Sequence, residues 1–163
     1  MSYHVNPGPN ATYASTTTQN VADPTQGQAI TFNTIFSEQG VKLLTTAGVG
    51  TQVQLNQIGQ YLFTFSAVCH TTSGSNKAIY IWFKYNGNDV ANSNTIINTS
   101  SGNEQVMTVT GVFPCNAVGD YYELYMVGDT TACQIKAEPA VVAPATPVMP
   151  AVPSIILTVN QVV

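Results

Sequence analysis

The chain has 163 residues, 44% of them hydrophobic and only 7% charged, with a formal net charge of −4. That length suits one domain with a real core, and that hydrophobic content excludes a disordered chain. With four lysines (Lys42, Lys77, Lys84 and Lys136) and no arginine, it lacks the cation cluster that displaces counterions from a nucleic acid.

In chain order, residues 1–27 come first: proline- and glycine-bearing, with the polar run "STTTQN" and no period of 2 or 3.6. A segment of this kind cannot bury enough apolar surface to fold alone, so an extended N-terminal arm is expected. Its anchors would be Tyr3, Val5, Tyr13 and Val21. Fully extended, such an arm reaches on the order of 90 Å. The first residues lack a basic region and an apolar run, so no secretory signal is expected, and assembly in a cytoplasm follows.

From Ala29 onward, strand-like runs alternate with turns: "AITFNTIF" (29–36), "GVKLL" (40–44), "TQVQLNQI" (51–58) and "QYLFTFSAVCH" (60–70). The strongest is "KAIYIWFKY" (77–85), which puts Ile79, Ile81, Phe83 and Tyr85 on one face and ends in the tight-turn pair Asn86-Gly87. After "NTIINTS" comes "QVMTVTGVF" (105–113), which Pro114 is expected to stop. In "GDYYELYMVGD" (119–129), Tyr122, Leu124 and Met126 share one face, opposite Tyr121, Glu123, Tyr125 and Val127. "ACQIKAE" (132–138) precedes a segment with Pro139, Pro144, Pro147, Pro150 and Pro153. "SIILTVNQVV" (154–163) is apolar on both sides, too adhesive to be left loose. The prolines are expected to carry the chain over the body of the domain as a stiff extended crossing.

No amphipathic helix and no membrane-length apolar window is present. Short strands at roughly 8–12-residue spacing read as an all-β sandwich or barrel. The faces of Trp82, Tyr121, Tyr125 and Ile156 are too apolar for free solvent and are expected to form a subunit interface.

Chemistry-bearing residues are sparse. Cys69, Cys115 and Cys133 make no disulfide framework, and neighbours such as Cys69 and His70 point to opposite faces of a strand. His4 and His70 have no zinc spacing. Asp120 and Asp129 bracket one strand, where aspartates serve turns. "NGNDVANSN" (86–94) is oxygen-rich but holds one carboxylate, Asp89, too little for more than weak calcium binding. No catalytic residue, metal site or cofactor is assigned.

Four segments stand in a fixed order: "GQYLFTFSAV" (59–68), "IWFKYNGNDVANS" (81–93), "GDYYELYM" (119–126) and "PAVPSIILTVNQV" (150–162). Together they resemble the C1q/TNF-like jelly-roll domain of tailed-bacteriophage virion proteins. The resemblance covers residues 28–163, leaving 1–27 as the arm. It implies an antiparallel jelly-roll β-sandwich with the terminal strands adjacent, assembled as a homotrimer, with a binding or structural role rather than an enzymatic one. The expected function is therefore a capsid decoration (cement) protein on the outer surface of a phage head, its arm tying neighbouring major capsid protein subunits. The alternative is the receptor-binding head of a tail fibre or spike, recognising a host-surface glycan or protein. Neither role involves a nucleic acid or a membrane.

Overall fold

The structure is a computed structural model and describes residues 8–144 and 146–162. The expected anchors Tyr3 and Val5 lie outside the described residues. The strands run β1 (Asn10–Ser15), β2 (Gln19–Asn20), β3 (Gln28–Ala29), β4 (Thr34–Gln39), β5 (Val41–Thr46), β6 (Val49–Leu55) and β7 (Gly59–Thr71). They continue as β8 (Lys77–Tyr85), β9 (Asn88–Asp89), β10 (Thr95–Thr99), β11 (Gln105–Cys115), β12 (Tyr121–Gly128), β13 (Cys133–Ile135) and β14 (Ile155–Gln161). No helix occurs among the described residues.

Two antiparallel sheets face each other. The first runs β4-β1-β14-β7, with β11 on the far side of β7; β13 continues the β14 side of β7 and carries β2. The second runs β10-β8-β12-β6-β5, with β9 beside β8 and β3 beside β12. This is the jelly-roll sandwich expected, but the strand beside β14 is β1, from the segment expected to be an arm, with Tyr13 opposite Leu157.

Alternation builds the core. Tyr61, Phe63, Phe65, Ala67 and Cys69 of β7 point inward, as do Ile79, Ile81 and Phe83 of β8, Tyr122, Leu124 and Met126 of β12, and Ile155, Leu157 and Val159 of β14. The centre is aromatic and spans both sheets: the Phe63 ring lies 4.9 Å from that of Tyr122, and Phe83 lies 4.7 Å from Phe113. Tilted and edge contacts of this kind add to the area term, and each such side chain contributes about 1.5–3 kcal/mol by burial. Of the three core phenols, Tyr61 donates to the Gln57 carbonyl and Tyr122 to that of Pro114, whereas the buried Tyr13 hydroxyl has no such carbonyl partner.

Three local expectations change. The arm is not a free segment from 1 to 27, because residues 10–15 form β1, inserted between β14 and β4. Tyr13 is fully buried and Val21 is 2% exposed, so both anchor the fold rather than a partner. Asn10 to Ala14 meet a partner strand on both sides and Ser15 meets β14 alone, so the backbone of β1 is largely paired despite its weak apolar period. Second, the run 29–36 is two elements. Ala29 pairs with Tyr125 in the second sheet, whereas Thr34 pairs with Ala14 in the first. Asn33 turns the corner, its side chain accepting from the Thr16 amide at 3.0 Å. Third, Pro114 does not stop β11. It sits opposite Gln60 within the strand, tolerated because, among the described residues, β11 is bound only to β7 and its other side is an edge. Asn86 and Gly87, by contrast, form the tight turn expected of them, with φ of 46° and 81°.

The proline segment does not cross the sandwich either. β13 and β14 lie on the same side of β7, and the chain between them goes out and back. Glu138 pairs with Val152 and Val141 with Met149, making a projecting hairpin on which Val142, Val148, Met149 and Val152 are exposed.

Candidate functional site

The four residues expected at one interface separate onto opposite faces. Trp82, Tyr121 and Tyr125 point out from the second sheet, while Ile156 points out from the first. Alternation reveals which side chains turn away from the core, but not which sheet carries them.

The outward face of the first sheet is uncharged across four strands. Reading from β11 to β7, Val106 faces Val68, Thr108 faces Ser66, Thr110 faces Thr64 and Val112 faces Leu62. The same row continues through Ile156 and Thr158 of β14 to Thr12 of β1, while Ala14, in the same register, is fully buried. Val106, Val112 and Ile156 are 61%, 54% and 38% exposed. Much of the polar content is already paired: Thr64 and Thr110 share a hydrogen bond of 3.1 Å, and Thr108 donates to Ser66 at 3.4 Å. Each of these bonds lowers, without abolishing, the cost of covering the hydroxyls. One end of the face is closed by charge. Lys136 binds both Glu104 and Glu138, beside His70, whose Nδ1 lies 3.0 Å from Gln134 Nε2. An uncharged centre with an ionic margin is the anatomy of a protein–protein interface.

The outward face of the second sheet holds a cleft of about 400 Å³ between β8, β12 and the loop 89–94. Tyr80, Trp82, Val90 and Val127 supply its apolar wall; Asp89, Asn92 and Asn94 supply its polar rim. Trp82 donates its indole N–H to Asp89 Oδ1 at 2.7 Å, and Lys84 stands 3.5 Å from the same oxygen. The Lys84 ammonium also lies 4.4 Å from the centre of the Tyr125 ring, a cation–π contact.

At one end of β12, Asp120 accepts from the Tyr85 hydroxyl, the Asn86 amide and the backbone N–H groups of Asn116 and Ala117. The Tyr85 bond, followed by those from Asn86 and the two amides, lowers its carboxyl to about 2. Asp129, beyond the other end, binds the Ala78 amide. The two aspartates thus hold turns at opposite ends of one strand. Cys69 faces the core, where burial pushes its thiol up to about 12, far from the thiolate a nucleophile needs. His70 turns the other way. Among the described residues, no group of three or more His, Cys, Asp or Glu side chains is placed to hold a metal ion.

Neither the hydroxyl row of the first sheet nor the partners of Trp82 in the cleft were named from sequence. The first had a visible trace: in "LFTFSAVCH" every second residue from Leu62 to His70 is small or uncharged. The cleft had a fainter one, the oxygen-rich run 86–94, but only the fold of the loop brings Asn92 and Asn94 to Tyr80.

No protein-family model matches the chain, and no curated protein sequence matches it. Solved structures do. Murine APRIL at pH 5.0 aligns with a TM-score of 0.57 at 11% identity, and murine APRIL at pH 8.0 with 0.57 at 12%. Each alignment covers 94% of this chain and 98% of that one. At this identity the likeness is one of architecture, and the chain is an all-β, TNF/C1q-like jelly roll.

Proposed function

We propose that the chain is a structural virion protein: a homotrimer, formed through the uncharged face of the first sheet, that decorates the outer surface of a bacteriophage head and binds its major capsid protein. The observation that carries the trimer is the four-strand face on which apolar side chains and pre-paired hydroxyls lie in one row with no charge. A closed ring around a three-fold axis covers such a face on every subunit. The virion setting is supported by the order of the four sequence segments and by the low charge of the chain. Assembly would take place in the host cytoplasm.

The means of attachment differs from a long arm. With Tyr13 and Val21 in the core, the elements left to reach a shell are the residues before β1 and the projecting hairpin 138–152. The hairpin is uncharged beyond Glu138 and carries exposed Val142, Val148 and Met149. The experiment is a particle reconstruction with a copy count. Hundreds of copies on the head at three-fold positions support the proposal; a few copies at the tail would sink it. That second outcome would favour the receptor-binding reading, for which the Trp82 cleft is the relevant observation.

A further inference from the structure

We propose that the Trp82 cleft is a binding site for an uncharged sugar residue, with the indole as stacking platform and Asp89, Asn92 and Asn94 as hydroxyl partners. The inference rests on the cleft itself and holds whichever particle surface carries the trimer.

The platform is immobilised. The indole N–H is held by Asp89 at 2.7 Å. Gly27 lies against the six-membered edge so closely that a Cβ there would fall 2.5 Å from Trp82 Cη2. The Tyr125 ring, tilted by 47° at 5.8 Å, supports it from β12. A ring fixed in this way loses little rotamer freedom when a ligand arrives. It is nevertheless only half-buried, and the cleft opens beside it.

The rim has unused hydrogen-bonding capacity. Asp89 is 68% exposed, and the oxygen that meets Trp82 and Lys84 is Oδ1, which leaves Oδ2 to accept. The side-chain amides of Asn92 and Asn94 have no hydrogen-bond partner among the described residues, and the Tyr80 hydroxyl also has none. An amide both donates and accepts, and a carboxylate accepts strongly.

A ligand that uses all of this needs a flat apolar face and a fringe of groups that are donor and acceptor at once. A pyranose has both: axial C–H bonds for the indole and equatorial hydroxyls for the rim. A purely apolar ligand would strand the amides, at the cost of unpaired polar groups. A calcium ion would find one carboxylate, too few anionic oxygens. A uronic or sialic acid would meet the Asp89 carboxylate as a like charge. The cleft volume of about 400 Å³ lies within the range of small-molecule sites.

Trp82 is the only tryptophan in the chain, so its indole N–H resonance reports on the cleft alone. The test titrates the full-length protein with the methyl glycosides of glucose, galactose, mannose and N-acetylglucosamine, and with glucuronic acid and glycerol for comparison. Expected is a saturable shift of that resonance with at least one neutral glycoside. Asp89→Ala and Asn94→Ala, both at exposed positions, should each weaken it ten-fold or more while leaving the rest of the spectrum in place. The proposal is overturned if no neutral glycoside shifts the signal up to about 100 mM, well above a weak Kd near 1 mM. It is equally overturned if the variants bind as the native chain does, or if glycerol or glucuronic acid acts as well as the neutral sugars.

Discussion

Lys136 and Ser154 converge on a single residue of β7: the Lys136 amide donates to the Val68 carbonyl at 2.8 Å, and the Val68 amide donates to the Ser154 carbonyl at 2.9 Å. The chain therefore leaves the sheet and re-enters it at one point, and everything between is an excursion closed at its neck. Replacing residues 140–150 by a short glycine-containing turn should leave the fold intact. The melting temperature should move by only a few degrees, since shortening a loop changes closure entropy by about 0.6 kcal/mol per halving. Head binding, measured by co-sedimentation with particles lacking the protein, should be lost. Unimpaired binding would remove the hairpin from the attachment mechanism.

Removing the residues ahead of β1 should differ sharply from removing the whole first region. A chain starting at Pro9 keeps β1 and should fold and trimerise. A chain starting at Gln28 lacks the strand between β14 and β4 and should be insoluble or unfolded by circular dichroism. Tyr13→Ala tests the same point more gently. Truncating a fully buried aromatic should cost about 3–5 kcal/mol in a denaturant titration. A loss below about 1 kcal/mol would mean that β1 is peripheral.

Ile156 probes assembly without touching the core, because it points away from Leu157 and Ile155. In Ile156→Lys a charge enters the centre of the uncharged face. Light scattering should change from three times the 17.3 kDa chain to the single chain, with far-ultraviolet dichroism unaltered. Trp82→Phe on the opposite sheet should leave the trimer in place. If the lysine variant remains trimeric, the interface lies elsewhere.

Acid should weaken the Asp120 turn in a defined window. Its folded carboxyl titrates at about 2 against an ordinary 3.8. A depressed value means stability that is full above the ordinary pKa and fades as pH falls towards 2. Asp120→Asn should thus be less stable than the native chain at pH 6, with the gap closing between about pH 4 and pH 2. A gap that stays constant over that range would show that the carboxylate charge is not what holds Tyr85, Asn86, Asn116 and Ala117.

Gly111 of β11 is a last probe of packing. The Phe113 ring lies over it, and a Cβ would come 2.7 Å from that ring. Gly111→Ala should displace Phe113 from its contacts with Phe63 and Phe83, lowering stability by about 1–3 kcal/mol. Thermal unfolding checks this; an unchanged midpoint would mean that the ring relaxes freely.

The inward faces of β8 and β12 were legible in sequence because a period of two fixes which residues share a face, Ile79 with Ile81 and Phe83, and Tyr122 with Leu124 and Met126. β1 was not. "NATYAS" has one large apolar residue, and its place is set by strands far along the chain, Leu157 and Ile35 among them. Proline was over-read for a related reason. It forbids a central ladder but says nothing of direction, so a hairpin and a crossing look alike until β13 and β14 are seen beside the same strand. The Trp82 cleft assembles Gly27, Tyr125 and Asn94 from three distant segments, and only Asp89 lay close enough in sequence to hint at it.

The antiparallel pairing of β1 with β14 also decides how the molecule bears force. Asn10 lies opposite Asn160, and Ser15 opposite Ile155. A pull on the two chain ends would peel the ladder one bond at a time. A pull between the N-terminal end and the hairpin would drag the two strands along each other, loading all their bonds together. In the assembly proposed above, a subunit gripped at those two points would resist in shear, its stronger mode, and would act as a clamp.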